Sequence, residues 1–339
     1  MELLFKVVLH RIHKAEEYFF LIIIDEKRKI IVISPIAIRR DQVILNNLLK
    51  KSCLSNIFCT FAAKLRKMGD RLVSVIMPSY NGAKHLADSI DSILNQTYKH
   101  LELLITDDHS DDEQTLDILK HYSEQDSRVN VLYLDSNHGP GYARNKSIER
   151  AKGRYIAFCD SDDRWFPEKL EKQIAFMDKY DSALCFASYI VCDEHDQEQG
   201  IVIAPDVLTF GQLKRDNKIG CLTAIYDIEK LGHKYYMPAI RKRQDWGLFL
   251  AILRDCHEVR ALHEPLAYYR DRKGSVSSRK FGLIKYNILI YQKVLGFSPL
   301  KSHLYFYFLF TPTYLLKRVK KHIDSIIYLN KKKSTNFII

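Results

Sequence analysis

The sequence contains no C-x-x-C pair, and its 13 histidines and seven cysteines fall into no Cys/His zinc pattern. An odd cysteine count leaves at least one thiol unpaired, so a reducing compartment is the simplest setting. No G-x-G-x-x-G follows a strand-like run, no Walker A loop is present, and G-x-S-x-G is missing. Those absences weigh against a dinucleotide fold, a P-loop enzyme and an α/β-hydrolase. Long apolar runs are lacking too. Lys6, His10, Arg11 and Lys14 interrupt the N-terminal stretch, which reads as neither signal peptide nor membrane span. The apolar run around His303 to Phe310 is too short to cross a bilayer and is bracketed by Pro299 and Pro312. There is no internal repeat or low-complexity tract, so solenoids and fibres are excluded.

What is present is ordinary globular composition, 47% hydrophobic and 27% charged over 339 residues, enough for two or three folded units. The formal charge of +11 suggests a polyanionic partner until it is divided along the chain. Residues 1–67 carry 13 Lys+Arg against 6 Asp+Glu, residues 68–279 carry 28 against 34, and residues 280–339 carry 11 against 1. The large middle is acidic and the flanks are basic. A uniformly basic nucleic-acid-binding domain is therefore not expected, and no nucleic acid is expected as a partner.

Residues 18–33 read as two short strands about a charged turn, and 41–67 as a basic helix. From Val73 the pattern turns regular. Strands are expected at 73–77, 101–106, 129–134, 155–159 and 183–191. Helices between them carry apolar stripes at Leu86/Ile90/Ile93/Leu94, Leu116/Leu119/Tyr122 and Leu170/Ile174/Met177, with a small helix over 143–151. This alternation predicts an α/β fold, a mostly parallel sheet with helices on both faces. Three segments are expected: an accessory N-terminal extension of unknown role (1–67), a catalytic domain (68–280) and a basic, aromatic, helical C-terminal region (281–339).

Ligands of such sheets sit outside the carboxyl ends of the strands. Ser79-Tyr80-Asn81, Asp107-Asp108 and Asp160-Ser161-Asp162 all follow strand ends and should converge there. Carboxylates gathered at one edge repel unless a cation joins them, and hard cations such as Mn²⁺ or Mg²⁺ accept carboxylate and phosphate oxygens together. Asp160 and Asp162 suit a diphosphate-bound metal; capping of the next helix by Asp162 or Asp163 is an equal alternative from the local sequence. Cys159, beside carboxylates, reads as core.

The ordered segments V73-S-V-I-M-P-S-Y-N-G, S92-I-L-N-Q-T-Y, L104-I-T-D-D-H-S, A143-R-N, G153-R-Y-I-A-F-C-D-S-D-D, K242-R-Q-D-W-G-L and L266-A-Y-Y-R-D-R-K-G-S-V-S-S together resemble the family 2 glycosyltransferases, which have a GT-A fold. The likeness covers roughly residues 72–280. The later segments look most like enzymes of bacterial surface polysaccharide assembly, such as those for O-antigen, capsule and exopolysaccharide. The resemblance implies nucleotide-sugar contacts at Pro78, Tyr80, Asn81, Asp108, Arg144, Asp160, Ser161 and Arg270. It also implies a metal at Asp162 with Asp160, a catalytic base at Asp245, and an acceptor contact at Trp246. A loop from Lys273 to Ser277 would close over the diphosphate. His109 departs from the pattern, standing where a glycine is common.

These roles imply an inverting, metal-dependent transfer from a UDP-sugar to a hydroxyl of a lipid-linked oligosaccharide, on the cytoplasmic side of a membrane. Aromatic and basic residues interleaved over 297–329 suit the anionic membrane surface, and packing of the same helix on the catalytic domain is compatible with that. The rival readings are transfer to a polyprenyl phosphate, a sugar-1-phosphate nucleotidyltransferase, and a non-catalytic basic membrane-binding adaptor.

Overall fold

The computed structural model describes residues 21–24, 30–33, 71–271 and 281–336. The chain divides after Gly69 into two units. In the first, strand β1 (Leu21–Ile24) pairs antiparallel with β2 (Ile30–Ile33), Leu21 opposite Ile33. The expected helix over 41–67 and the Lys273 to Ser277 loop lie outside the described residues.

The second unit is built on one mixed sheet. Its parallel half has β3 (Val73–Ser79) at the centre, between β4 (Leu101–Asp107) and β6 (Tyr155–Phe158), with β5 (Val129–Tyr133) outside β4. Helix α1 (Ala83–Leu94), α2 (Glu113–Gln125) and α3 (Pro140–Arg150) make the crossovers. Beyond β6 the sheet stops being parallel. Strand β11 (Ile225–Asp227), only three residues long, runs antiparallel between β6 and β8 (Leu184–Cys192). The long strand β12 (Glu258–Arg270) lies parallel to β8 and carries β10 (Val207–Thr209) and the two-residue β7 (Arg164–Trp165) as antiparallel partners. Strand β9 (Glu198–Val202) pairs with β8 at the side.

Period-two alternation decides which face each strand residue serves. In β3, Val73, Val75 and Met77 join a buried cluster with Leu86, Ile90 and Ile93 of α1 and Leu170, Ile174 and Met177 of α4 (Lys169–Tyr180). Ile76 faces the other way, into a cluster with Phe158, Phe186, Ile148 of α3 and Leu248, Phe249, Ile252 and Leu253 of α7 (Gln244–Cys256). Each fully buried Leu, Ile, Met or Phe is worth about 1.5–3 kcal/mol, so the two layers hold the strand ends rigidly at one edge.

Residues 281–336 belong to this second unit. After α8 (Ile284–Leu289) and a π-helical turn over Ile290–Val294, helix runs without a break from α9 (Pro299–Tyr305) through a second π turn (Phe306–Phe310) into α10 (Thr311–Asn336). Phe306 and Phe310 are buried in the same cluster as α7, and Ser325 Oγ accepts from the backbone N–H of Ile201 in β9 at 3.1 Å. Among the described residues no helix is long and apolar enough to cross a membrane.

Candidate active site

Parallel pairing brings the three polar clusters to one edge. Ser79 stands opposite Asp107, the Asp108 N–H donates to Ser79 O at 2.8 Å, and the Cys159 N–H donates to Ile76 O at 3.1 Å. Adjacent strands lie about 5 Å apart, so Asp108 and Asp160 flank the Ser79–Asn81 loop. Pro78 is buried at the point where the β3–β6 ladder has ended, so its missing N–H costs no ladder bond. Tyr80 is half exposed at the rim. Ser161 Oγ lies 3.4 Å from where a side chain on Gly82 would begin, which joins the β3 loop to the Asp160 loop.

Hydrogen bonds show what each aspartate of the second cluster does. Asp112, at the end of the loop that begins with Asp107, caps α2 by accepting from Thr115 N–H at 3.3 Å. Asp108 is buried and accepts the backbone N–H groups of His138 at 2.8 Å and Gly139 at 2.6 Å, which fixes the loop entering α3. Asn81 bridges to the loop between β4 and α2, its amide donating to Asp111 at 2.6 Å while its carbonyl accepts from Asp111 N–H at 3.1 Å. His109 sits at φ 65°, in the left-handed region, which supplies a physical reason for glycine to be common at this position.

The loop Asp160–Asp163 does not cap α4, whose cap position is Glu168, with no side-chain cap bond. Asp160 pairs with Arg144, a buried guanidinium from α3. Asp163 is buried and accepts the Arg270 N–H at 3.0 Å; burial first, and then the charges of Asp162 and Asp160, push its carboxyl well above the usual range. Arg270 is itself buried at the end of β12. Its Nε donates to the main-chain oxygen of Asp162 at 3.0 Å and its Nη1 pairs with Asp196 at 2.7 Å. It therefore buttresses the acidic loop from behind rather than lying open to a ligand. Cys159 is fully buried, its thiol raised by burial first and then by Asp163 and Asp160.

These donors suit a hard divalent cation. Asp160 and Asp162 offer carboxylate oxygens and are only partly buried. Among the described residues no three His, Cys, Asp or Glu side chains form a closed cage. Mg²⁺ and similar ions need only one or two carboxylates when phosphate oxygens and water complete the shell. The residues present fit such an ion bound together with a diphosphate.

Asp245 enters from α7. Arg243, at φ 66°, is the N-terminal cap residue, so Asp245 lies in the first turn of the helix and its Oδ2 accepts from Asn217 Nδ2 at 2.8 Å. Gln244 fills the space beside Gly141 of α3, where any side chain would collide with its amide. The Arg144 guanidinium, between these helices, is held protonated against its burial by Asp160 first and also by Asp245. Arg243 is directed to Asn287, its Nε donating at 3.0 Å. Trp246 is completely buried. Its indole N–H donates to Leu213 O at 2.9 Å, and Tyr291 and Phe310 pack on its ring at 5.7 and 5.6 Å. It offers no face to an acceptor; it anchors α7 beneath the C-terminal helix.

Three supporting residues are given no role by the sequence, although Asn145 falls within the A143-R-N segment. Asn217 orients Asp245 from 28 positions away, Asp196 receives Arg270, and Asn145 exchanges hydrogen bonds with the backbone of Met237 at 3.0 and 2.8 Å.

Comparison with known proteins agrees with this architecture. A family model described as glycosyl transferase family 2 matches residues 74–228. The putative teichuronic acid biosynthesis glycosyltransferase TuaG of Bacillus subtilis is 41% identical over 66% of this chain and 88% of its own length. The Escherichia coli protein named UDP-Glc:α-D-GlcNAc-diphosphoundecaprenol β-1,3-glucosyltransferase WfgD is 37% identical over 64% of this chain and 84% of its own. Among solved structures, Staphylococcus aureus TarS with UDP-GlcNAc superposes with a TM-score of 0.51 at 21% identity, over 69% of this chain and 70% of that one. The chain belongs to glycosyltransferase family 2 and is an enzyme of the GT-A fold.

Proposed function

We propose that this enzyme moves a sugar from a UDP-sugar to a hydroxyl of a lipid-linked oligosaccharide in cell-surface polysaccharide assembly, in one inverting displacement. The observation that carries this reading is the placement of Asp245. Its carboxylate is held by Asn217 and shares the field of Arg144 with the acidic loop at Asp160. In this reading Asp245 Oδ accepts the proton of the acceptor hydroxyl as that oxygen bonds to the anomeric carbon, and the bond to the UDP oxygen breaks. Asn81, Tyr80 and Asp108 shape the nucleotide pocket, with Pro78, Arg144 and Ser161 around the sugar diphosphate. Asp160 and Asp162 would hold Mn²⁺ or Mg²⁺, which supplies charge stabilisation to the departing diphosphate when bound. The relatives support the acceptor class: WfgD is named for a sugar on diphosphoundecaprenol and TuaG for teichuronic acid synthesis. Incubation with a panel of UDP-sugars, a lipid-linked acceptor and Mn²⁺ is expected to release UDP from one or a few donors, and EDTA to stop it. Release that EDTA does not slow would defeat the metal assignment.

The same reading places the enzyme at the inner face of the cytoplasmic membrane. Leu300, Leu304, Phe308, Leu315, Val319, Ile323 and Ile327 are all exposed and recur at helical spacing along α9, the π turn and α10. Arg318, Lys320 and Lys321 lie among them, each worth about 1 kcal/mol near an anionic surface. The other face of the helix is spent on β9 and α7, so the stripe is left for lipid. Val319→Glu with Ile323→Glu is expected to lower partitioning onto phosphatidylglycerol vesicles at least tenfold while melting stays unchanged. Equal partitioning would count against membrane docking.

A further inference from the structure

Next to Asp245 the fold collects cations around one buried carboxylate. Asp216 is buried, and Lys317 of α10 reaches it at 2.6 Å while also donating to Asn217 O at 2.6 Å. Burial raises the Asp216 carboxyl, opposed by Lys317 and then by the charges of Arg243 and Lys218. Lys218 is half-buried. Burial, and then the nearby Lys317, Lys320 and Arg215 working against Asp216, hold its ammonium below the ordinary value. Five cations thus stand against two carboxylates, Asp216 and Asp245. Such crowding of like charge is unfavourable until an anion joins it.

The location specifies the anion. Asn217 links the cluster to Asp245 directly, since its side chain donates to that carboxylate while its carbonyl receives Lys317. With standard bond lengths across Asn217, the Lys317 ammonium lies within about 10 Å of the Asp245 carboxylate. A pyranose ring with its linking oxygens, built from bonds of about 1.5 Å, spans roughly 5 Å, so a hydroxyl of a sugar attached to an anion held at Lys317 is within reach of Asp245. Leu315, Leu316 and Val319, close to Lys317 along α10, are apolar and exposed.

We propose that Arg215, Lys218, Arg243, Lys317 and Lys320 bind the diphosphate of a lipid diphosphate acceptor, whose directly attached sugar presents its hydroxyl to Asp245. The proposal rests on the lipid-linked acceptor reading above and narrows it to the sugar next to the diphosphate. A diphosphate supplies the two or three negative charges that the cluster lacks, and its lipid leaves along the α10 stripe. Free inorganic diphosphate shares the head-group chemistry but makes no use of that stripe.

The test uses the full chain saturated with UDP and Mn²⁺, so that the donor site is filled, and three probes: farnesyl diphosphate, inorganic diphosphate and phosphatidylglycerol vesicles. Farnesyl diphosphate is expected to bind one to one and more tightly than inorganic diphosphate. Arg215→Gln with Lys218→Gln should weaken both at least tenfold, vesicle partitioning should change less than twofold, and Lys218→Arg should retain binding. Unchanged farnesyl diphosphate binding in the double variant overturns the site. Loss of vesicle binding alone also overturns it, in favour of a lipid head-group contact. If farnesyl diphosphate binds as expected but the wild type transfers no sugar to any lipid diphosphate acceptor, the acceptor reading falls. If transfer is intact and the cluster is indifferent to diphosphate, only the site falls.

Discussion

Asp245→Asn is expected to lower kcat for sugar transfer by about 10²–10⁴-fold, with little change in the KM for the UDP-sugar and none in folding. The amide matches the carboxylate in shape and can still accept from Asn217 Nδ2, so the first turn of α7 keeps its place. What it cannot do is take a proton. The effect on kcat rather than on KM follows from the proposed arrangement, in which the donor contacts follow β3, β4 and β6 and lie on other elements than α7. Steady-state kinetics of UDP release, with a melting curve for the variant, decide the matter. A loss of less than tenfold would remove Asp245 from the role of base.

Phe310→Ala should destabilise the fold strongly although it lies outside the cleft. Phe310 is buried, with its ring 5.6 Å from Trp246 and 5.3 Å from Phe306. Truncating a buried phenylalanine costs about 3–5 kcal/mol, or roughly 10 °C in Tm for a unit of this size. Phe308, two residues earlier and 72% exposed, should cost no more than about 0.5 kcal/mol when changed to alanine. Calorimetry of the two variants gives the contrast, and equal melting temperatures would contradict the packing described. The comparison also bears on membrane binding. Deleting residues from 297 onward would strip Trp246 of its cover and unsettle α7, so exposed-face substitutions are the cleaner probe of lipid contact.

Much of the parallel half could be read from sequence because its cause is local. Alternating strands and striped helices announce themselves over a dozen residues, and the apolar stripes of α1 and α4 are buried as their spacing requires. The antiparallel insertion could not be read, since β11 has three residues and owes its place to neighbours on both sides. The site divides along the same line. Asp108, Asp160, Asp162 and Asp245 sit in short motifs with recognisable residue types. Asn217, Asp196 and Lys317 act only through tertiary contacts, and a lone Asn or Lys in a polar loop carries no mark of that. Trp246 shows the opposite error. A tryptophan after the aspartate suits sugar stacking in the motif, yet Phe310 of the distant C-terminal helix closes over it. Arg270 likewise follows the motif but turns to Asp196 and the Asp162 carbonyl, because the end of β12 runs behind the acidic loop.

The central claim is a single displacement with Asp245 as base, and the anomeric configuration of the product tests it most directly. With a UDP-α-sugar, Mn²⁺ and a lipid-linked acceptor, the NMR coupling at the new anomeric carbon is expected to report a β-linkage; an α-linked product would contradict the account.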